Sequence, residues 1–249
     1  MSKNSQPTSW TPATSINTNT DANFTRLPIC VDKRETVFRG KWMGVDRVIY
    51  QFKKCGRQDE ELTSNSDSNI LPESLCPSTG LWECAYRTSK PVEAETDGVN
   101  VIPILTEPDG SKSIILIRQF RVPIMNYCIE FPAGLLDPNE SVGTAALREL
   151  KEETGYVGSE VKFLNVGVLP LDPGLSNSNI KFAVVSLDGN LPENRNPKQQ
   201  LDTFEDISVI KIPFRELKNR LDEYLAQKTE VDATLYAFCI GLTISDIMK

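Results

Sequence analysis

Two apolar runs near the middle of the chain restrict its fold more than any other feature. GVNVIPIL (Gly98–Leu105) and SIILIRQF (Ser113–Phe120) are rich in Ile and Val and carry almost no alternation of apolar with polar residues. The turn residues Glu107-Pro108-Asp109-Gly110 separate them, which marks a β-hairpin. A strand with one wet face alternates, whereas a run without alternation has to be covered on both faces. The hairpin therefore calls for a sheet with a layer packed on each side.

Helices to supply those layers are legible further on. YCIEF (Tyr127–Phe131) reads as a strand, Pro132-Ala133-Gly134 as a loop, and about Ser141 to Thr154 as a helix stopped by Gly155. VKFLNVGVL (Val161–Leu169), IKFAVVSL (Ile180–Leu187) and ISVIKI (Ile207–Ile212) read as further strands. The segment PFRELKNRLDEYLAQK places Phe214, Leu217, Leu221, Tyr224 and Leu225 on one helical face. Residues 232–247 are apolar nearly all round and are expected to form a buried helix. Strands interleaved with helices give an α/β fold with a mixed sheet between helical layers.

The N-terminal part is different in character. Residues 1–26 are rich in Ser, Thr, Asn and Pro and are expected to be a disordered tail. Residues 27–96 form a small antiparallel β region, with strands at RVIYQF (Arg47–Phe52) and LWECAYRT (Leu81–Thr88) joined by a long polar loop, 53–80. The main domain is expected over 97–249. The N-terminus has no apolar h-region, so no secretory signal is expected. The six cysteines form no CxxC pair, which fits a reduced compartment. A cytoplasmic location is expected, with the nucleus left open.

The chain contains no histidine. That removes His-dependent triads, Cys–His nucleophiles and HExxH zinc sites. Acid–base work falls to Asp, Glu, Lys, Tyr or Cys, and a catalytic metal would be held by oxygen, which favours Mg²⁺ or Mn²⁺. The net charge of −7 opposes nucleic acid as a partner. No apolar run is long enough to span a membrane. A small anionic substrate would need metal ions or placed arginines.

Such chemistry has a candidate in Arg148-Glu149-Leu150-Lys151-Glu152-Glu153-Thr154-Gly155. On a helix Glu149, Glu152 and Glu153 share one side, while Val142, Ala145, Ala146 and Leu150 supply an apolar side for anchoring. Three like charges within two turns repel one another unless cations sit against them. Taken alone, the run reads as a solvated helix face with an Arg148–Glu152 ion pair. The wider spacing changes this. Gly134 is followed by five residues and Glu140, then by seven residues and Arg148-Glu149-Leu150-x-Glu152-Glu153-x-Gly155-Tyr156. This matches the Nudix box, Gx5Ex7REUxEExGU, at every fixed position, and it lies in a strand–loop–helix context.

The chain thus resembles the Nudix hydrolase superfamily. The resemblance implies a Nudix-type α/β/α sandwich, a Mg²⁺ cofactor with Mn²⁺ as the alternative, and hydrolysis of a nucleoside diphosphate linked to another group. Arg148 and Glu140 would orient the helix and its metal ligands. GKW (Gly40–Trp42), LWECAYRT, QFRVP (Gln119–Pro123), EFPAGLLD (Glu130–Asp137) and LDPGLSN (Leu171–Asn177) further resemble the eukaryotic ADP-sugar pyrophosphatases. That likeness implies metal ligation by the Ala133 carbonyl and by Glu149, Glu152 and Glu153. It implies that Trp42 and Trp82 stack on adenine from two sides and that Arg87 and Arg121 contact phosphates or the terminal ribose. Leu135 and Asp172 would line the substrate site. Catalysis would rest on Glu152 and Glu153, with Glu205 as base and Asp206 as the alternative. A homodimer is implied, in which Trp42 serves the neighbouring subunit's site. The substrate would be ADP-ribose or a related ADP-sugar. A Nudix hydrolase of NADH, FAD or an oxidised nucleotide, and a non-catalytic ADP-ribose-binding module, are the alternatives. The complete set of box glutamates weighs against the module.

Overall fold

The computed structural model describes residues 29–52, 79–163, 165 and 167–248. The expected tail and nearly all of the expected 53–80 loop lie outside the described residues. The chain divides into two units, one of residues up to Val92 with Asp172–Asn177, the other of Glu93–Leu171 with Ser178 onward.

The first unit is a three-stranded antiparallel sheet of β1 (Ile29–Arg39), β2 (Met43–Phe52) and β3 (Gly80–Arg87), in that order. Sequence reading had not marked β1 as a strand, because ICVDKRETVFR is too charged to show a clean alternation. Its pairing is held instead by a polar cluster. Asp46 on β2 is buried and accepts from Arg34 Nε (2.6 Å) and from Thr36 Oγ1 (2.8 Å) on β1. Asp46 is the desolvated member, so losing either donor would leave its buried carboxylate short of a partner, and the cluster pins the register. Residues 172–177 lie along β3, with Ala85 N–H donating to Leu175 O (2.9 Å) and Asn177 N–H to Ala85 O (3.2 Å).

The second unit is built on a nine-stranded mixed sheet. The hairpin read from the sequence is β4 (Gly98–Thr106) and β5 (Lys112–Arg121). Next come β6 (Asn126–Glu130) and β7 (Ala133–Leu135), then α1 (Val142–Thr154), β8 (Gly158–Phe163) and β9 (Leu169–Pro170). The chain continues through β10 (Asn179–Asp188), the short α2 (Pro192–Arg195) and β11 (Ile207–Pro213). It ends with α3 (Leu217–Ala226), β12 (Glu230–Val231) and α4 (Ala233–Ile247). The central order is β12-β6-β5-β4-β10-β8, with β10 parallel to β4.

The demand for cover on both faces is met by two separate cores. Val99, Val101 and Leu105 of β4 and Ile115 of β5 pack with Val142, Ala145, Ala146 and Leu150 of α1. The alternate positions Ile102, Ile114 and Leu116 pack with Leu217 and Leu221 of α3 and with Leu235 and Cys239 of α4. This is the expected α/β/α sandwich.

Three expectations need correction. Ala133 and Gly134 are not loop but part of β7, because their backbone pairs with β4. The strand expected over Val161–Leu169 is not continuous: Asn165, Gly167 and Val168 lie outside the strands β8 and β9, and positions 164 and 166 fall outside the described residues. The last helix is not buried all round. Leu235 and Cys239 face the core, while Ile240, Ile244 and Ile247 are exposed among the described residues.

Candidate active site

Strand pairing opens the site. One edge of β4 is shared by β5 along Ile104–Thr106 and by β7 along Gly98–Asn100. The chain leaves β5's edge at the end of β6 and joins β4 at β7, which carries Ala133, Gly134 and Leu135 beneath α1. Ser141 caps α1 by accepting from Thr144 N–H (3.1 Å). Gly155 closes it in the left-handed region, at φ 77°. The apolar side of α1 faces the sheet, and the glutamates project toward β7. Gly134 is required here by contact, since a Cβ on it would meet the Glu149 carboxyl at 1.9 Å.

A cleft of about 440 Å³ results, lined by Ala133, Gly134, Leu135, Asp137, Arg148, Glu149, Glu152, Asp202 and Glu205. Arg148 organises one wall. Its guanidinium donates to both oxygens of Glu140 (2.9 and 2.8 Å), to Glu149 (2.8 Å), to Glu152 (3.1 Å) and to Leu135 O (3.1 Å). Glu140 is held below the usual carboxylate range by its bond to Arg148.

Glu153 lies deeper, only 4% exposed, and accepts from Ala133 N–H (2.9 Å). Burial pushes its carboxyl up to about 8; the Ala133 donor opposes this, and the nearby charges of Glu149 and Glu205 add to it. Burial also raises Glu149, against the pull of Arg148.

The cleft brings together five of the residues expected from sequence: Ala133, Leu135, Glu149, Glu152 and Glu205. Glu153 joins them through Ala133. Glu205 and Asp206 part company. Glu205 lines the cleft, whereas Asp206 accepts from Tyr127 Oη (2.8 Å) and is absent from the lining. Arg121 makes a two-pronged pair with Glu130 (2.7 and 2.5 Å), and its positive charge acts on Glu153.

Trp42, Trp82, Arg87 and Asp172 belong to the other unit. Trp42 is 64% exposed with Lys41 Nζ 4.3 Å from its ring centroid. Trp82 is 50% exposed, and its indole N–H donates to Gly174 O (3.1 Å). Arg87 is exposed at the end of β3, and Asp172 is exposed with its carbonyl accepting from Leu175 and Ser176. Sequence reading missed Asp137 and Asp202 as cleft residues. Asp202's only signal is its place three residues before Glu205 in an acidic turn.

Five acids, Asp137, Glu149, Glu152, Asp202 and Glu205, face a single arginine in this lining. Among the described residues no group of three acidic or thiol side chains is arranged to hold an ion, and Arg148 is bonded to Glu149 and Glu152. The donor chemistry nonetheless fits a hard divalent cation. The groups are oxygens only, crowded with negative charge, and one is buried at a cost that a cation would relieve.

Fold and site together define an α/β/α scaffold with a carboxylate-lined cleft. The model of the NUDIX domain matches residues 96–230, and the chain belongs to this family. It is 41% identical over 213 residues to the ADP-sugar pyrophosphatase of Mus musculus, covering 85% of this chain and 86% of that protein. It is 32% identical over 206 residues to the ADP-ribose pyrophosphatase of Saccharomyces cerevisiae, covering 82% and 78%. A crystal structure of an ADP compounds hydrolase superposes with a TM-score of 0.50 at 24% identity, covering 78% of this chain and 83% of that one, which supports the fold.

Proposed function

We infer that this protein is an ADP-sugar pyrophosphatase, hydrolysing the diphosphate bond of ADP-ribose and related ADP-sugars to AMP and a sugar 5-phosphate. The observation that carries the chemistry is the acidic cleft. A surface with five carboxylates to one arginine repels a diphosphate by itself, so its use on such a substrate requires cations held between the two. The substrate class comes from the mouse and yeast relatives, which align with more than four-fifths of the chain.

Mg²⁺ is the proposed cation, held by the Ala133 carbonyl and the carboxylates of Glu149, Glu152 and Glu153. Bound there, it would neutralise the phosphates and lower the pKa of a coordinated water. The remaining work falls to the chain itself. Glu205, on the loop lining the same cleft, accepts the proton from the attacking water. Water adds to one phosphorus, the bridging P–O bond breaks, and the electron pair leaves on the bridging oxygen. Arg148 keeps Glu149 and Glu152 aligned, and Arg121, braced by Glu130, offers a positive charge to the substrate.

A homodimer is also proposed, supported by the spacing of the tryptophans. Trp82 lies opposite Val48, while Trp42 O accepts from Thr88 N–H, six residues further along the hairpin than Trp82. That separates the two backbone positions by about 20 Å, at ~3.3 Å per residue. Stacking on both faces of one adenine requires the two indoles about 7 Å apart, twice a contact distance. Side chains rooted that far apart support a reading in which the two tryptophans stacking on one base come from different chains. The apolar residues Val31, Phe38, Met43 and Leu81, exposed on this sheet in one chain, are consistent with a partner.

The test is incubation of the purified protein with ADP-ribose and Mg²⁺, with AMP and ribose 5-phosphate expected. No turnover of any ADP-sugar or dinucleotide, at neutral or alkaline pH and with Mn²⁺ also tried, would falsify the enzyme reading.

A further inference from the structure

The loop that carries Glu205 is fastened to the end of α1 by one side chain outside the cleft lining, that of Gln199. Its Nε2 lies 2.6 Å from Glu153 O and 3.0 Å from Ile207 O. Both neighbours are carbonyl acceptors, so the amide nitrogen must face them, and both of its hydrogens are used. One acceptor belongs to the last turn of α1, where carbonyls have no partner within the helix. The other is the first residue of β11, where the loop returns to the sheet. Gln199 therefore ties the loop's entry to its exit and ties both to the helix that bears the box glutamates.

The neighbouring backbone completes the attachment. Gln200 N–H donates to Glu152 O (2.8 Å), and the Lys198 backbone passes so close to Gly155 that a Cβ there would meet its nitrogen at 2.3 Å. At the tip, Asp202 N–H donates to Glu205 Oε2 (2.9 Å), and Glu205 N–H to Asp202 O (3.1 Å), a reciprocal pair of bonds within the turn. With a tip closed on itself, the placement of Glu205 over the cleft depends on the roots.

We propose that Gln199 is a positioning residue for the reaction: its amide sets the distance between Glu205 and the carboxylates of α1. This rests on the reading of Glu205 as the base. A fraction of an ångström matters to a proton transfer, whereas Gln199 itself does not line the cleft and so is not placed to bind substrate. Loss of the amide should thus be felt in kcat.

The experiment compares wild type, Gln199→Met, Glu205→Gln and the double variant, with kcat and KM measured on ADP-ribose and Mg²⁺ and with thermal unfolding. Methionine keeps the length of the side chain and removes both donors. Gln199→Met should lower kcat about tenfold, in line with the cost of small misplacements, with KM within about twofold. In the Glu205→Gln background it should lower kcat no further, because the residue it positions is already disabled. Gln199→Glu, almost the same shape but without a donor at neutral pH, should match Gln199→Met and serves if the latter folds poorly. Equal losses in both backgrounds would show a role independent of Glu205 and overturn the proposal. Full kcat in Gln199→Met beside a disabled Glu205→Gln would overturn this proposal alone. Full kcat in Glu205→Gln would overturn the base reading and this proposal with it.

Discussion

Replacing Glu153 by Gln should abolish activity and, in metal-free protein at alkaline pH, raise stability. Burial is the main reason its carboxyl stands at about 8 instead of an ordinary 4.5. Between those values the folded chain keeps a proton that the unfolded chain has released. The stabilisation is therefore complete below about 4.5, falls as pH rises through the window, and levels off above about 8. The full gap corresponds to roughly 5 kcal/mol. Water reaching the carboxylate as it ionises would leave about half, roughly 2 to 3 kcal/mol. For a chain of this size that is roughly 5 to 10 °C in Tm. The substituted amide would be neutral throughout, and its carbonyl oxygen could still accept from Ala133 N–H. In a chelating buffer the Tm advantage of Glu153→Gln should be small at pH 5 and reach about 5 °C or more at pH 8.5. Mg²⁺ should close that advantage by stabilising wild type through binding. Scanning fluorimetry of both proteins across this range is the assay. A Tm difference that stays constant from pH 5 to pH 8.5 would refute the reasoning.

Other outcomes follow from the same geometry. Gly134→Ala pushes the Glu149 carboxyl, a flexible end, out of place; it should keep the fold and lose about 10- to 100-fold in Mg²⁺ affinity or activity, as read by metal titration of kcat. Asp206→Asn should leave kcat within about threefold of wild type, because Tyr127 holds Asp206 outside the cleft lining; a collapse of kcat would move the base by one residue. Leu150→Ala removes a fully buried side chain from the core beneath α1 and should cost about 2 to 5 kcal/mol in urea unfolding. Trp42→Ala and Trp82→Ala chains, each inactive alone, should on co-refolding in equal amounts regain about a quarter of the wild-type sites, the share expected for a twofold dimer with composite sites; no regain would count against the shared site.

Legibility from sequence followed the range of the forces involved. The β4–β5 hairpin was visible because its lack of alternation directly states that both faces are buried, and the two cores divide at Val101 and Ile102 accordingly. The box helix was visible because cap, apolar stripe, carboxylate row and stop all lie within fifteen residues of one another. Strand β1 was not, since what pairs it is a buried Asp46 with Arg34 and Thr36, and charged residues read as solvent until their partner is known. The mistaken burial of the whole last helix came from judging it by composition, when only the Leu235 and Cys239 side has a core to meet.

The site divides along the same line. Glu149, Glu152 and Glu153 are brought together by helical spacing, a local property, so the motif could name them. Asp202, Glu205 and Gln199 reach the cleft or its rim only because 198–200 crosses the end of α1 and Ile207 starts the strand beside β5. No spacing rule joins residue 199 to residue 153. What links them is the need of α1's last carbonyls for donors, which an amide 46 residues away happens to meet. Chemistry held within one helix can be read from spacing, whereas chemistry assembled where a helix end meets a returning loop has to be found by asking where each unsatisfied backbone group obtains its partner.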